Sequence, residues 1–224
     1  MGRILKLDFN LLIMDDKIYV VEHLEPRLWY WCFIEYKSIS KIVGKDNVIF
    51  SNIKNEKDKN KLRDYGKVVN KSVKELKLQN VCVLDPDAKK TLNPKEAKKF
   101  KFFMFGGILG DYPPKKRTRD ELTKFIKNVE VRNIGKEQLS TDNAVFVVHE
   151  IVKGISLSKM KFKKNVEIRI NDIETIELPF SYPIVNGKAR MSEELIDFIK
   201  KKYKWGANCP PQKTEMSHVL SFDS

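Results

Sequence analysis

Apolar positions along the chain fall into short runs whose spacing switches between strand and helix periods. Ile18 to Val21 is a β-rich run with the character of a buried strand. Pro26 then suits the first turn of a helix and Glu25 suits the positive end of its dipole. Leu28, Trp31, Cys32, Ile39, Ile42 and Val43 recur at helical spacing until Gly44 stops the run. Glu35 sits on the same stripe, so a carboxylate faces or borders the core. Val48 to Phe50 is a second strand. Residues 51–72 are polar and Lys-rich, and Leu62 with Tyr65 allows one exposed helix there. Val81 to Leu84 is a third strand ending at Asp85-Pro86, and Asn93-Pro94 starts a short helix with proline just inside it. Phe102 to Phe105 is a fourth strand ending at Gly106-Gly107, followed by a loop to Pro114. Thr118 is expected to cap a helix carrying Leu122, Phe125 and Ile126. Val129, Val131 and Ile134 form a fifth strand ending at Gly135. Ser140-Thr141-Asp142 caps a helix with Ala144, Val145, Val147, Val148 and Ile151. Beyond Gly154, residues 166–170 alternate strictly and residues 173–183 read as extended. Ser192 caps a last helix with Leu195, Phe198, Ile199 and Tyr203 on one face and lysines on the other.

Strands alternating with helices predict an α/β fold, a mostly parallel sheet with helices on both faces. Ligands of such sheets bind beyond the carboxyl ends of the strands. Three of those ends carry unusual residues: Leu84-Asp85-Pro86, the segment from Gly106 to Pro114, and the segment from Gly135 to Asp142. A chain of 224 residues suits one domain. Residues 17–204 are expected to form it, with an N-terminal extension over 1–16 and a loose tail over 205–224. Asp8 and Asn10 interrupt the apolar start and no small-residue cleavage site follows, so a signal peptide is not expected.

Composition sharpens this picture. The 43 Lys and Arg outnumber the 30 Asp and Glu by thirteen, and only eight of the 43 are arginines. Such an excess bears on partners and solubility rather than on fold. It suits contact with nucleic acid or a ribonucleoprotein, and equally a Lys-rich solvated surface. A hydrophobic share of 42%, with thirteen Phe, excludes a disordered chain. No apolar run approaches the twenty residues a membrane helix needs. Cys32, Cys82 and Cys209 are odd in number and far apart, which suggests neither disulfides nor a metal site and fits a reducing cytoplasm.

Much familiar chemistry has no carrier here. Three glycines within Gly106 to Gly110 let backbone approach a ligand or another chain, or simply make a tight turn. No Gly-Lys-Ser/Thr follows them and the dinucleotide spacing is missing, so phosphate cradling is disfavoured. His23, His149 and His218 stand apart from any Ser or Cys in sequence, and no nucleophile elbow or metal-ligand cluster appears.

The segments VVEHLEPRLWYWCFIEYKSIS (20–40), VCVLDP (81–86), FMFGGILGDYPPKKRT (103–118), QLSTDNA (138–144) and ELPFSYP (177–183) together resemble the SPOUT class of S-adenosylmethionine-dependent methyltransferases. Within it they are similar to the subgroup of the fungal ribosomal-protein arginine methyltransferase and its archaeal relatives, over roughly residues 17–202. The resemblance implies a C-terminal trefoil knot, which the rarity of threaded chains would never suggest. It implies S-adenosylmethionine as cofactor, held by three loops: Leu84, Asp85 and Pro86; Phe105, Gly106, Gly107 and Gly110; and Ile134, Gly135, Gln138, Leu139, Ser140 and Thr141. The implied partner is a ribosomal protein or the ribosome, with no metal and no membrane, and a monomer is favoured because the last helix has one apolar stripe.

Methylating a guanidinium requires the acceptor to be held in line with the methyl carbon, and carboxylates to orient it and take the released proton. The catalytic candidates are Asp111, Asp142 and Glu22. Glu25, Glu35, Lys115, Lys116 and Arg117 are candidates for binding the substrate. Each has a plainer reading: Asp142 as support for a helix N-terminus, Glu22 as the partner of a lysine, the basic run as solvated loop. Two other functions compete, an RNA methyltransferase and a binding module without catalysis.

Overall fold

The computed structural model describes residues 17–110 and 115–206. The expected extension and nearly all of the expected tail, like Asp111, lie outside them. Six parallel strands form the main sheet: β1 (Ile18–His23), β2 (Val48–Ser51), β3 (Lys67–Val68), β4 (Val81–Leu84), β5 (Phe102–Gly107) and β6 (Glu130–Arg132), in the order β3-β2-β1-β5-β4-β6. β1 is central and pairs Ile18 with Phe102 on one side and Tyr19 with Val48 on the other. The two-residue β3 was not legible in the sequence. A second, three-stranded antiparallel sheet holds β7 (Phe162–Arg169), β8 (Thr175–Val185) and β9 (Lys188–Ala189).

The helices are α1 (Tyr30–Val43), α2 (Glu56–Leu62), α3 (Pro94–Ala97), α4 (Thr141–Val152) and α5 (Glu193–Gly206). α1 starts later than expected: Pro26 and Arg27 lie before it. Trp29 takes the extended N-cap conformation, with the Arg27 guanidinium 3.4 Å over its ring. Gly44, at φ +82°, ends the helix with its N–H bonded to the Ser40 carbonyl, a backbone state that costs glycine little. Ser192 caps α5 as expected, its Oγ accepting from Leu195 N at 3.1 Å. Thr118 does not cap a helix; it lies inside one wide turn (Thr118–Leu122) preceded by Arg117. None of the helices among the described residues is long and apolar enough to cross a membrane.

Helical cover is unequal on the two faces. Tyr19, Val21, Phe103 and Phe105 point into the larger cluster, where Trp31, Ile34 and Ile39 of α1, Val147, Val148 and Ile151 of α4, and Leu195 and Ile199 of α5 are buried. The second sheet closes this side through Ile168, Leu178 and Tyr182. Each fully buried aliphatic or aromatic side chain contributes about 1.5–3 kcal/mol relative to exposure. Val20, Val83 and Met104 point to the opposite face, which among the described residues is covered by irregular segments and short turns, with Val73, Leu76, Leu78, Leu122 and Ile126 packed against it.

The segment after β4 is stitched to the segment after β6. Asp85 N donates to the Arg132 carbonyl (3.0 Å), Asn133 N to the Lys90 carbonyl (2.8 Å) and Leu92 N to the Asn133 carbonyl (2.9 Å). The chain then turns at Gly135, φ +102°, and returns from the edge strand to α4, which packs on β5 and α1. This path is consistent with the knot that the resemblance implies.

Candidate active site

The carboxyl ends of β4, β5 and β6 open into a cavity of about 280 Å³. Its walls come from the three loops singled out by their sequence: Leu84, Asp85 and Pro86; Phe105, Gly106, Ile108 and Gly110; and Ile134, Gly135, Gln138, Leu139 and Thr141. Lys115, Lys116, Arg117 and Arg119 form its rim. Asp85 is buried and accepts from Asp87 N (2.9 Å) and Thr123 Oγ1 (2.7 Å), so the first loop is held from both sides. The Gln138 Oε1 atom is buried without a hydrogen-bond partner among the described residues, leaving an acceptor for a ligand's N–H.

Gly110 admits no side chain. A β-carbon there would lie 2.3 Å from Gln138 Nε2 and 2.6 Å from Phe180 Cε1. Gly110 and Leu139 also border a crevice that leads off the cavity, with Trp31, Phe180, Leu109 and Ser140 as its walls and the Glu35 carboxylate among them. The crevice measures about 10 Å³, room for about one water.

Glu35 belongs to the buried stripe of α1. It accepts from Trp31 Nε1 at 2.8 Å and from Thr141 N, at the start of α4, at 3.2 Å. Burial, reinforced by the charge of Asp142, pushes its pKa up to about 8 against the pull of those two donors. A carboxylate in this state holds or releases a proton near neutral pH, as a general base must.

The other expected carboxylates are engaged elsewhere. Asp142 accepts from Ser38 Oγ (2.8 Å), Ser140 Oγ (2.7 Å) and Arg190 Nη1 (3.0 Å), so it joins α1, α4 and the strand end at Arg190. Its place at the start of α4 is the supporting one. Glu22 accepts from Ser51 Oγ (2.6 Å), Ser72 Oγ (2.5 Å) and Val73 N (3.1 Å), which fastens residues 72–73 over the sheet and uses the carboxylate fully. It does not border the cavity. Glu25 accepts from Leu109 N (3.0 Å) and Arg117 Nη1 (2.7 Å), and Glu121 takes Arg117 Nε (2.7 Å). Glu25 and Arg117 thus shape the rim rather than reach into it. Among the expected cofactor residues Gly107 faces away: a β-carbon there would lie 2.2 Å from the Tyr36 hydroxyl. Ser140 borders the crevice, not the main cavity. His149 bonds Tyr19 through Nδ1 at 3.0 Å, as a satisfied boundary histidine should.

Trp31, Phe180 and Arg190 escaped the sequence reading as site residues. Trp31 and Phe180 meet across 149 positions of chain, and an apolar stripe gives no sign of which member faces a crevice.

The family model for SFM1-like protein arginine N-methyltransferases matches residues 18–205. The protein arginine N-methyltransferase SFM1 of Saccharomyces cerevisiae is 36% identical over 200 residues, covering 82% of this chain and 94% of that protein. The crystal structure of the yeast enzyme complexed with SAM superposes with a TM-score of 0.76 at 33% identity, covering 86% of this chain and 96% of that one. A Trm10 structure from Thermococcus kodakaraensis shares the fold, with a TM-score of 0.50 at 19% identity over 64% of this chain and 96% of that one.

Proposed function

Because the chain belongs to the SFM1-like protein arginine N-methyltransferases, we propose that it transfers a methyl group from S-adenosylmethionine to an arginine of a ribosomal protein, with Glu35 taking the released proton. The observation that carries this reading is the junction of the three-loop cavity with the crevice that reaches Glu35. The cavity residues fit the cofactor. Leu84, Ile108, Ile134 and Leu139 give apolar walls for an adenine ring, Asp85 an acceptor for ribose hydroxyls, and the basic rim a counter-charge for a carboxylate. The unpartnered Gln138 Oε1 suits an amino group. When bound, the cofactor supplies an electrophilic methyl carbon on a sulfonium.

Transfer forms one N–C bond on the guanidinium and breaks one S–C bond, and one proton leaves the acceptor nitrogen. Glu35 is placed to receive it through the water-sized crevice. Trp31 and Thr141 orient its carboxylate, so little reorganisation is needed at the moment of reaction. Trp31 and Phe180 line the crevice beside Glu35 and keep it narrow. Glu25 and Arg117 keep the rim in place.

The thirteen excess positive charges suit an enzyme that works beside ribosomal RNA in the cytoplasm. The single apolar stripe of α5 is spent on its own core through Leu195 and Ile199, which supports a monomer. The test is incubation with methyl-labelled cofactor and ribosomal subunits. Label in a ribosomal protein that survives nuclease and yields methylarginine on hydrolysis is expected; label lost to nuclease overturns the assignment.

A further inference from the structure

The face of the sheet that carries no long helix among the described residues holds almost half of the chain's excess charge. Residues 69–79 and 115–129 together hold nine lysines and arginines against three carboxylates, six of the thirteen excess charges. Those three carboxylates are engaged: Glu75 accepts from Ser72 N, Asp120 pairs with Lys124, and Glu121 holds Arg117. The two segments form one surface. Val73 and Leu122 are buried in the same smaller core, and Lys74 Nζ lies 4.0 Å over the ring of Phe125.

Phe125 is the telling residue. It is 57% exposed while Leu122 and Ile126 of the same short stretch are drawn into the core. An exposed ring beneath Lys74, in segments that also carry Lys71, Lys77 and Lys127, is more than a solvated lysine surface needs. At the other end of the layer, Lys115, Lys116 and Arg119 form the rim of the cavity. The basic surface therefore runs from the site across the thin face.

We infer that this face binds single-stranded RNA, with a base stacked on Phe125 and the flanking lysines following the phosphates. Lysine is a hydrated point charge that suits a phosphate track, whereas acidic protein motifs favour arginine forks. An aromatic platform inside a basic strip is how sequence-tolerant single-strand binding is built. The inference holds whichever protein carries the acceptor arginine, and it assigns RNA as a docking partner, not as the methylated substrate.

The test uses the full chain and a fluorescein-labelled oligouridylate of about 20 nucleotides, with affinity read by anisotropy between about 50 and 200 mM salt. Lys74→Glu with Lys127→Glu is expected to weaken binding at least about tenfold and to flatten the salt dependence. Phe125→Ala is expected to weaken it by about 5- to 150-fold with the salt slope unchanged, and Phe125→Trp to restore it. Lys161→Glu with Lys163→Glu, the same change of charge at the start of β7, serves as the control and should alter binding less than about threefold. Methylation of a free arginine peptide should be unchanged in all five proteins, which separates this inference from the assignment of the active site. Equal losses in the control pair, no effect of Phe125→Ala, or tighter binding to phosphatidylserine vesicles than to the oligonucleotide would each overturn it.

Discussion

Replacing Glu35 by glutamine keeps the shape of the crevice and removes the one titrating group among its described residues. In the wild type, burial and the neighbouring Asp142 push the Glu35 pKa to about 8. If ionised Glu35 must take the proton, kcat/KM rises with pH and levels off above about 9, because kcat/KM reports the free enzyme. At pH 7 about one molecule in eleven carries the ionised form, so the rate constant lies roughly tenfold below its plateau, about 1.4 kcal/mol. The limb in kcat should fall at lower pH, because a cationic acceptor and a sulfonium nearby favour the carboxylate. Glu35→Gln should cost about 10²- to 10⁴-fold in kcat and abolish the limb near pH 8. The assay is initial-rate transfer of labelled methyl to a peptide acceptor across about pH 6–9.5, with cofactor affinity measured separately. Glu35→Gln that keeps more than about a tenth of wild-type kcat, or that keeps the limb, would refute the role given to Glu35. The same group sets a stability trend of opposite sense. A folded pKa above the unfolded value means that the protonated form is favoured by folding, so the Glu35 contribution is lost as pH rises from about 4.5 to about 8.

Gly110→Ala should drive the Gln138 amide or Phe180 into the cavity, weakening cofactor binding by calorimetry more than about tenfold while the circular dichroism spectrum stays native. Arg190→Ala removes the cation from the buried Asp142 and should cost about 3–5 kcal/mol in denaturant unfolding; a loss below about 1 kcal/mol would mean that the pair is not structural. His149 is held neutral, its pKa lowered to about 4 by burial and then by Lys153. The stability it confers is present above its unfolded pKa near 6.5 and is lost as pH falls toward 4, so His149→Gln should move the acid-unfolding midpoint downward; an unmoved midpoint would place acid sensitivity elsewhere.

The sequence pattern made the cavity legible because its walls come from loops at strand ends. Gly106, Gly110, Gly135 and Pro86 mark loops at the carboxyl ends of strands, and parallel strands gather those ends on one side. It also placed Glu35 on an apolar stripe, which is the mark of a carboxylate that folding has paid to bury. The carboxylates at the Ser-Thr motif and at the end of β1 were less informative. Asp142 and Glu22 look catalytic by position, yet their charge is consumed by Arg190 and by two serines that lie far away in sequence. The partnership of Arg190 with Asp142 and Ser38 crosses 48 and 152 positions, and no local period encodes it. The unequal faces were hidden for a similar reason. Leu76, Leu122 and Ile126 lie in stretches too short or irregular for a period to emerge, and only packing reveals which side of the sheet they cover.

The central pairing of β1 with β5 has a consequence for how the chain is made. Ile18 meets Phe102, so the middle strand of the sheet waits for a partner encoded more than eighty residues downstream. At roughly 5–20 residues per second, a ribosome takes about 4–17 s to cover that distance. Throughout it the nascent chain carries an unpaired apolar strand whose other neighbour, β2, has a register of only four residues. Nor can the cavity close before the 132–141 loop is synthesised. Slow emergence of a half-paired sheet calls for chaperone cover during translation, and codons that slow elongation between β2 and β5 should lower the soluble yield.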